Sequence, residues 1–145
     1  MKQQQRSATN GAAGVSPREP SAGELFAGAL AAKDAPGIRA LLADPVDFQA
    51  LTPGRHWQAA TPGEVVDEIV LGHWFDPGDD IRALESVSAG HLPGREHVSY
   101  LLRVHNADGA HLVEQQVYYN TDGGRITWMR VLCSGYRPLT DAEPS

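Results

Sequence analysis

From Ile81 to Pro138 apolar and polar positions alternate in long runs broken only by short turn signals. The runs are IRALESVSAGHL, then PG, REHVSYLLRVHN, then DG, AHLVEQQVYYN, then TDGG, and last RITWMRVLCSGYRP. Alternation of period two bounded by Gly, Pro, Asn and Asp predicts strands joined by tight hairpins, here a four-stranded antiparallel meander. Asp108-Gly109 is the strongest turn signal, since both central residues of a type I′ turn need positive φ. Before Ile81 the period changes. Ser21 suits a helix N-cap with Glu24 closing a capping box, and Leu25, Phe26, Ala29 and Leu30 form an apolar stripe. Pro36 suits the first turn of a second, short helix carrying Ile38, Leu41 and Leu42, which Asp44-Pro45 stops. VDFQAL and HWQA read as a strand pair around the turn PGR. Thr61, Pro62 and Glu64 start a third helix, on which Val66, Ile69, Val70 and His73 share a face.

Pairing about Asp108-Gly109 sets Val104 opposite Val113, Leu102 opposite Gln115, Tyr100 opposite Val117 and Val98 opposite Tyr119. With a three-residue loop at 122–124 the same face continues through Met129, Val131 and Cys133. Pairing about the PG turn adds Val87, Ala89 and Glu85, the last beside Leu102. This face is apolar except for one carboxylate, Glu85, and one amide, Gln115. The three helices are its available cover. The other face mixes Ser99, Tyr118, Trp128, Leu101, Gln116, Arg130, Arg103, Glu114 and Leu132. With no helix left to cover it, this face is expected to pair two copies as a homodimer.

The 145 residues allow one domain, expected at 21–138 between a disordered tail at 1–20 and a frayed end at 139–145. Twelve Lys and Arg against 18 Asp and Glu leave a net charge of -6, which argues against nucleic acid or an acidic membrane as partner. The lone Cys133 cannot form an internal disulfide, and no apolar run reaches the roughly 18 residues of a membrane span, so the cytosol is the expected compartment. Phosphate-binding GxGxxG and GxxxxGK[ST] loops, a GxSxG elbow and HExxH are all missing, so neither a metal nor a cofactor is expected.

The candidate chemistry lies on the covered face. Glu85 among apolar neighbours would have its charged form disfavoured and could exchange protons near neutral pH, unless a register slip leaves it in solvent. His73, beside Trp74, is either a base or a satisfied histidine at a helix end. Gln115 is placed to orient a ligand carbonyl or to satisfy backbone groups. Tyr100 and Tyr119 suit substrate contact or core anchoring, with Met129 beside them. His56 and Trp57 are expected at a pocket mouth. Cys133, placed near Val113 and Val104, reads as a small buried hydrophobe.

Three helices with a strand pair before the third, followed by a long meander, together with LTPGRHW, GHWF and YYNTDGGRITWMRVLCSGYRP, resemble the nuclear transport factor 2-like superfamily. The closest resemblance is to its bacterial SnoaL-like, polyketide cyclase-like branch, over about residues 21–138. It implies a cone-shaped α+β fold, three N-terminal helices on a curved, mostly antiparallel sheet of about six strands. It also implies a pocket for a hydrophobic small molecule. Such folds include cofactor-independent cyclases and isomerases as well as non-catalytic binding and interaction domains, so two functions stay open: acid/base catalysis on a polyketide-like or aromatic metabolite, or a dimeric ligand-binding module. Enzymes of this kind often carry an acid or His on the last strands, where this chain has Met129, Val131 and Cys133.

Overall fold

The computed structural model describes residues 19–139. But for their innermost residues, the tails expected at 1–20 and 139–145 lie outside the described residues. Helix α1 (Ala22–Ala31) starts at the expected capping box, where Glu24 N donates to Ser21 Oγ at 3.2 Å and Ser21 N to Glu24 Oε1 at 2.8 Å. It buries Phe26, Ala27 and Leu30, whereas Leu25 is 48% exposed, so the stripe is narrower than expected. Helix α2 (Ala35–Ala40) carries Pro36 in its first turn. Leu42 and Asp44-Pro45 neither extend nor stop it. They open strand β1 (Leu42–Thr52), because Leu42 is drawn into a parallel ladder opposite Ile126.

After the antiparallel partner β2 (Arg55–Ala59), the third helix, Glu64–Trp74, is wound as a π-helix. Its first turn is tied by Thr61 and Glu64: Glu64 N donates to Thr61 Oγ1 at 3.2 Å, and Glu64 Oε1 accepts from Ala60 N at 2.9 Å and Thr61 N at 3.2 Å. The Ala60 bond is the main reason the Glu64 carboxyl sits below its ordinary pKa. At the far end Phe75 N donates to Val70 O at 2.8 Å, a bond to the fifth residue back. Gly72 allows the wide turn, since a Cβ there would lie 2.3 Å from Asp67 O. The wider turn changes which side chains share a face. Val65, Val66, Ile69, Val70 and Trp74 are buried, while His73, expected on the same stripe, faces solvent.

Strands β3 (Asp80–Leu92), β4 (Arg95–Asn106), β5 (Gly109–Asp122) and β6 (Arg125–Cys133) form the expected meander, and a short β7 (Arg137–Pro138) pairs with β5. The strand order is β2-β1-β6-β5-β4-β3, an α+β architecture with helices packed on one curved, largely antiparallel sheet. Two registers differ from expectation by two residues. Asn106 pairs with Gly109, so that Tyr100 faces Gln115, Leu102 faces Val113 and Val98 faces Val117. The reason is local: Asn106 Oδ1 accepts from Asp108 N at 2.8 Å, so NADG closes as a turn with Asn first and Gly last. Likewise the TDGG loop holds two residues, Gly123 and Gly124, with φ of 61° and 83°, and a later bulge sets Cys133 beside Gln115 instead of Val113.

A shift of two leaves every side chain on its expected face. Val98, Leu102, Val104, Val113, Val117 and Met129 are fully buried under Phe26, Leu30, Val66 and Val70, each large apolar side chain contributing about 1.5–3 kcal/mol. A slip of one occurs at Glu85. Leu84 pairs with Leu102 and Ser86 with Leu101, so Glu85 is the extra residue of a bulge and crosses to the outer face.

Helix α1 reaches the sheet through Gly23, whose N–H donates to Tyr119 Oη at 2.9 Å. A Cβ on Gly23 would lie 2.8 Å from both the Tyr119 ring and Val98, whereas one on Gly28 of the same helix meets nothing within 4 Å. Gly23→Ala is therefore expected to destabilise the fold by about 1–3 kcal/mol. Gly28→Ala is expected to stabilise it by about 0.4–1 kcal/mol. Denaturant titration of the two variants checks both signs.

Candidate functional site

The end of the π-helix, the β1–β2 turn and the end of β6 converge on a cleft of about 310 Å3. Its lining is Thr52, Pro53, His73, Trp74, Phe75, Cys133, Gly135 and Tyr136. Aromatic packing sets the walls. Trp57 lies 5.2 Å from the His73 ring and 6.1 Å from Trp74, Phe48 lies 6.1 Å from Trp74, and Phe75 lies 6.0 Å from Tyr136. Trp57 is fixed in turn by its indole N–H donating to Thr52 Oγ1 at 2.8 Å and by the Arg55 guanidinium 3.6 Å from its ring centre. On the opposite side Gly135, at φ 78°, passes so close to Pro53 that a Cβ would stand 2.7 Å from its ring.

The polar groups of the cleft are few. His73 Nδ1 is 2.6 Å from Glu68 O. A carbonyl only accepts, so Nδ1 carries the proton and Nε2 of the neutral ring keeps its lone pair. The Tyr136 hydroxyl lies between two acceptors, Trp74 O and Asp79 Oδ2, the latter at 3.0 Å. Burial first, then the Asp79 charge and hydrogen bond, push its pKa far above the usual phenol value. Asp79 also accepts from Asn106 Nδ2 at 3.0 Å, and Lys33 Nζ donates to the backbone oxygens of Asp76 and Asp79. This set of bonds ties the turn between α1 and α2, the loop after the π-helix, the end of β4 and the segment after β6 together at the cleft.

Behind the lining, Cys133 pairs across the ladder with Gln115, and Gln115 with Tyr100. The Tyr100 hydroxyl donates to Gln115 Oε1 at 2.6 Å. Burial, and to a smaller degree Cys133, raise the Tyr100 pKa well above that of a free phenol. Trp74 Nε1, Gln115 Nε2 and His111 Nδ1 are buried with no hydrogen-bond partner among the described residues.

Trp74, Gln115, Tyr100 and Trp57 thus gather at or behind the cleft, with His73 on its rim. The other candidates are elsewhere. Glu85 lies on the outer face and accepts from Arg103 Nε at 2.6 Å, which corrects its expected apolar setting. His56 pairs with outward-facing Leu51, lies on the outer face and hydrogen-bonds Gln49 at 3.0 Å, which corrects its expected place at the mouth. Tyr119 and Met129 face each other in the filled core, with Tyr119 serving as acceptor for α1. Tyr136, Phe75 and Thr52 are cleft residues outside the candidates the sequence offers, and Cys133 stands beside Gln115 instead of among valines. The two-residue register shift hid the Cys133–Gln115 pairing, and only Gly135 before Tyr136 hinted at a turn back over the cleft. No group of three or more His, Cys, Asp or Glu is placed to hold a metal, and no helix is long and apolar enough to cross a membrane, among the described residues.

No family model matches the sequence, and no curated protein matches it either. Solved structures do match. An isomerase candidate from Bacillus subtilis superposes with a TM-score of 0.63 at 12% identity, covering 75% of this chain and 81% of that one. A polyketide cyclase candidate from Pseudomonas putida gives 0.58 at 15% identity over 78% and 91%. An LEH-like epoxide hydrolase from M. tuberculosis gives 0.57 at 16% identity over 78% and 80%. The chain has the nuclear transport factor 2-like fold. At these identities the likeness carries the fold alone.

Proposed function

We propose that this domain is a cofactor-independent enzyme of the isomerase or cyclase kind, which takes a hydrophobic, polyketide-like or aromatic metabolite into the cleft and moves a proton on it with His73 as general base. The observation that carries the reading is the 2.6 Å approach of His73 Nδ1 to Glu68 O: since that carbonyl can only accept, the neutral ring keeps its basic lone pair on Nε2, on a residue lining an otherwise mostly apolar cleft. The volume, about 310 Å3, lies at the lower end of the range for small-molecule sites and suits a bicyclic compound. The named relatives, an isomerase candidate, a polyketide cyclase candidate and an epoxide hydrolase, agree with such a role. Glu85, paired with Arg103 outside, has no part in it. The expected cytosolic setting belongs to this proposal as well.

A direct check is deuterium exchange at the acidic C2 position of 1-tetralone, followed by NMR. The wild-type chain is expected to accelerate exchange over buffer. His73→Gln is expected to lose about a hundredfold or more of that acceleration, with an unfolding midpoint close to wild type because His73 faces solvent. Equal exchange by the variant removes His73 as the base.

A second reading, a non-catalytic dimeric binding or interaction domain, is favoured by a specific observation. Among the inward-facing positions of β4, β5 and β6 the one carboxylate is Glu96, at the far end of β4 beside Tyr119 and away from the cleft, and most of the others are filled core. Tight binding of 1-tetralone without faster exchange would select it. In either reading we propose that two copies meet through the outer face, where Leu51 is 51% exposed, Leu132 56% and Tyr118 40%, around a shallow cleft of about 240 Å3. Sedimentation velocity is expected to show a dimer for wild type and a monomer for Leu132→Glu. A wild-type monomer at tens of micromolar contradicts the dimer.

A further inference from the structure

Nearly every side-chain hydrogen-bond donor that lines the cleft is already engaged or turned away from it. His73 Nδ1–H is held by Glu68 O, and the Tyr136 proton lies between Trp74 O and Asp79 Oδ2. Cys133 Sγ accepts from Gly135 N at 3.4 Å, and a thiol is a weak donor in any case. The Trp74 indole N–H is buried away from the opening. Thr52 is the exception. Its Oγ1 accepts from Trp57 Nε1 at 2.8 Å, which occupies one lone pair, while its own proton makes no hydrogen bond among the described residues. An N–H received on the oxygen also polarises the O–H and makes it the stronger donor.

The position of Thr52 fits a part in the chemistry. It ends β1 on the inward side, since Leu51 before it is exposed on the outer face and Ala50 is buried, and it lines the cleft together with His73. Trp57 touches both residues: its indole nitrogen holds Thr52 Oγ1, and its ring lies 5.2 Å from that of His73. Donor and base are therefore separated by no more than that one indole and its two contacts. No Lys or Arg lines the cleft, and the Arg55 guanidinium is stacked on the Trp57 ring, so a negative charge forming on a bound oxygen is left to a hydrogen bond.

We infer that the Thr52 hydroxyl is the donor that receives the carbonyl oxygen of the substrate and stabilises it as an enolate while His73 Nε2 takes the proton. The inference rests on the proposed reading of His73 as the base. The step balances without a co-reactant. The C–H bond beside the carbonyl breaks as an N–H bond forms at Nε2. Its electron pair becomes the carbon–carbon double bond, and the carbonyl π pair moves onto the oxygen that faces the Thr52 O–H. Return of the proton to the same carbon gives exchange, and return to a carbon conjugated with it gives isomerisation. The substrate class follows as a neutral, hydrophobic ketone with an acidic hydrogen beside its carbonyl. A donor aimed where charge grows acts more on turnover than on binding.

The test follows deuterium exchange at C2 of 1-tetralone over a range of ketone concentrations, so that kcat and KM separate. Thr52→Val, which keeps the shape and removes the O–H, is expected to lower kcat about a hundredfold, with KM within about threefold of wild type. Thr52→Ser keeps a hydroxyl and is expected to retain most of kcat. The infrared carbonyl stretch of 1-tetralone bound to wild type is expected below its value in dry hydrocarbon solvent, a measurement that needs no variant to fold. An undiminished kcat in Thr52→Val, an equal loss in Thr52→Ser, or an unshifted stretch in wild type each overturns the role of Thr52, while a loss of exchange in His73→Gln keeps the base reading in place. If wild type gives no exchange above buffer, the base reading and this inference fall together.

Discussion

The hydrogen bond from Phe75 N to Val70 O, spanning five residues where an α-helix spans four, decides where the cleft opens and what lines it. The wide turn brings Trp74 inward against Phe48 and Trp57 and sends His73 to the rim, where its ring finds Glu68 O, also five residues back. An α-helical course through the same residues would put His73 on the stripe of Val66, Ile69 and Val70. The π course depends on Gly72, because any side chain there would meet Asp67 O. A glycine inside a helix, costly by propensity, is explained by that close approach.

Around this helix end the structure places tightly bonded groups next to unpartnered ones. Tyr136, Asp79, Asn106 and Lys33 form a connected set that joins four segments, and burial keeps the Tyr136 proton in place. A few residues away, Trp74 Nε1 and Gln115 Nε2 have nothing to donate to. Leaving a buried donor unpaired costs about 1–3 kcal/mol, so the fold carries a local penalty just behind the cleft wall. This contrast, more than the size of the cleft, separates it from the shallow depression around Leu51 and Leu132 on the outer face.

The architecture was largely legible in the sequence because a strand's faces depend only on parity. Of the three hairpin registers of the meander, the one about the PG turn holds next to that turn and the other two are two residues off, yet Tyr100, Gln115, Val117 and Met129 still fall on the correct side. Positions that depend on a single inserted residue were not legible. Glu85 looked inward until the bulge between Leu84 and Ser86 turned it out to Arg103, and nothing in LESVS marks that bulge. His73 was misplaced for a related reason: a period of 3.6 was applied to a segment that does not have it. Which partners meet, unlike which face they share, also needed coordinates. Hence the Cys133–Gln115–Tyr100 row could not be read from pattern alone, although Gln115 and Tyr100 were each singled out.

The account turns on the protonation pattern that the π-helix imposes on His73, and long-range 1H–15N NMR of the uniformly labelled chain reads it directly, with His73→Gln identifying the signal. The prediction is a neutral ring in the Nδ1–H form at slightly alkaline pH, its Nε2 resonating as an unprotonated nitrogen. An Nε2–H tautomer, or averaging between the two forms, would mean that Glu68 O does not hold the ring and that the cleft has no poised base.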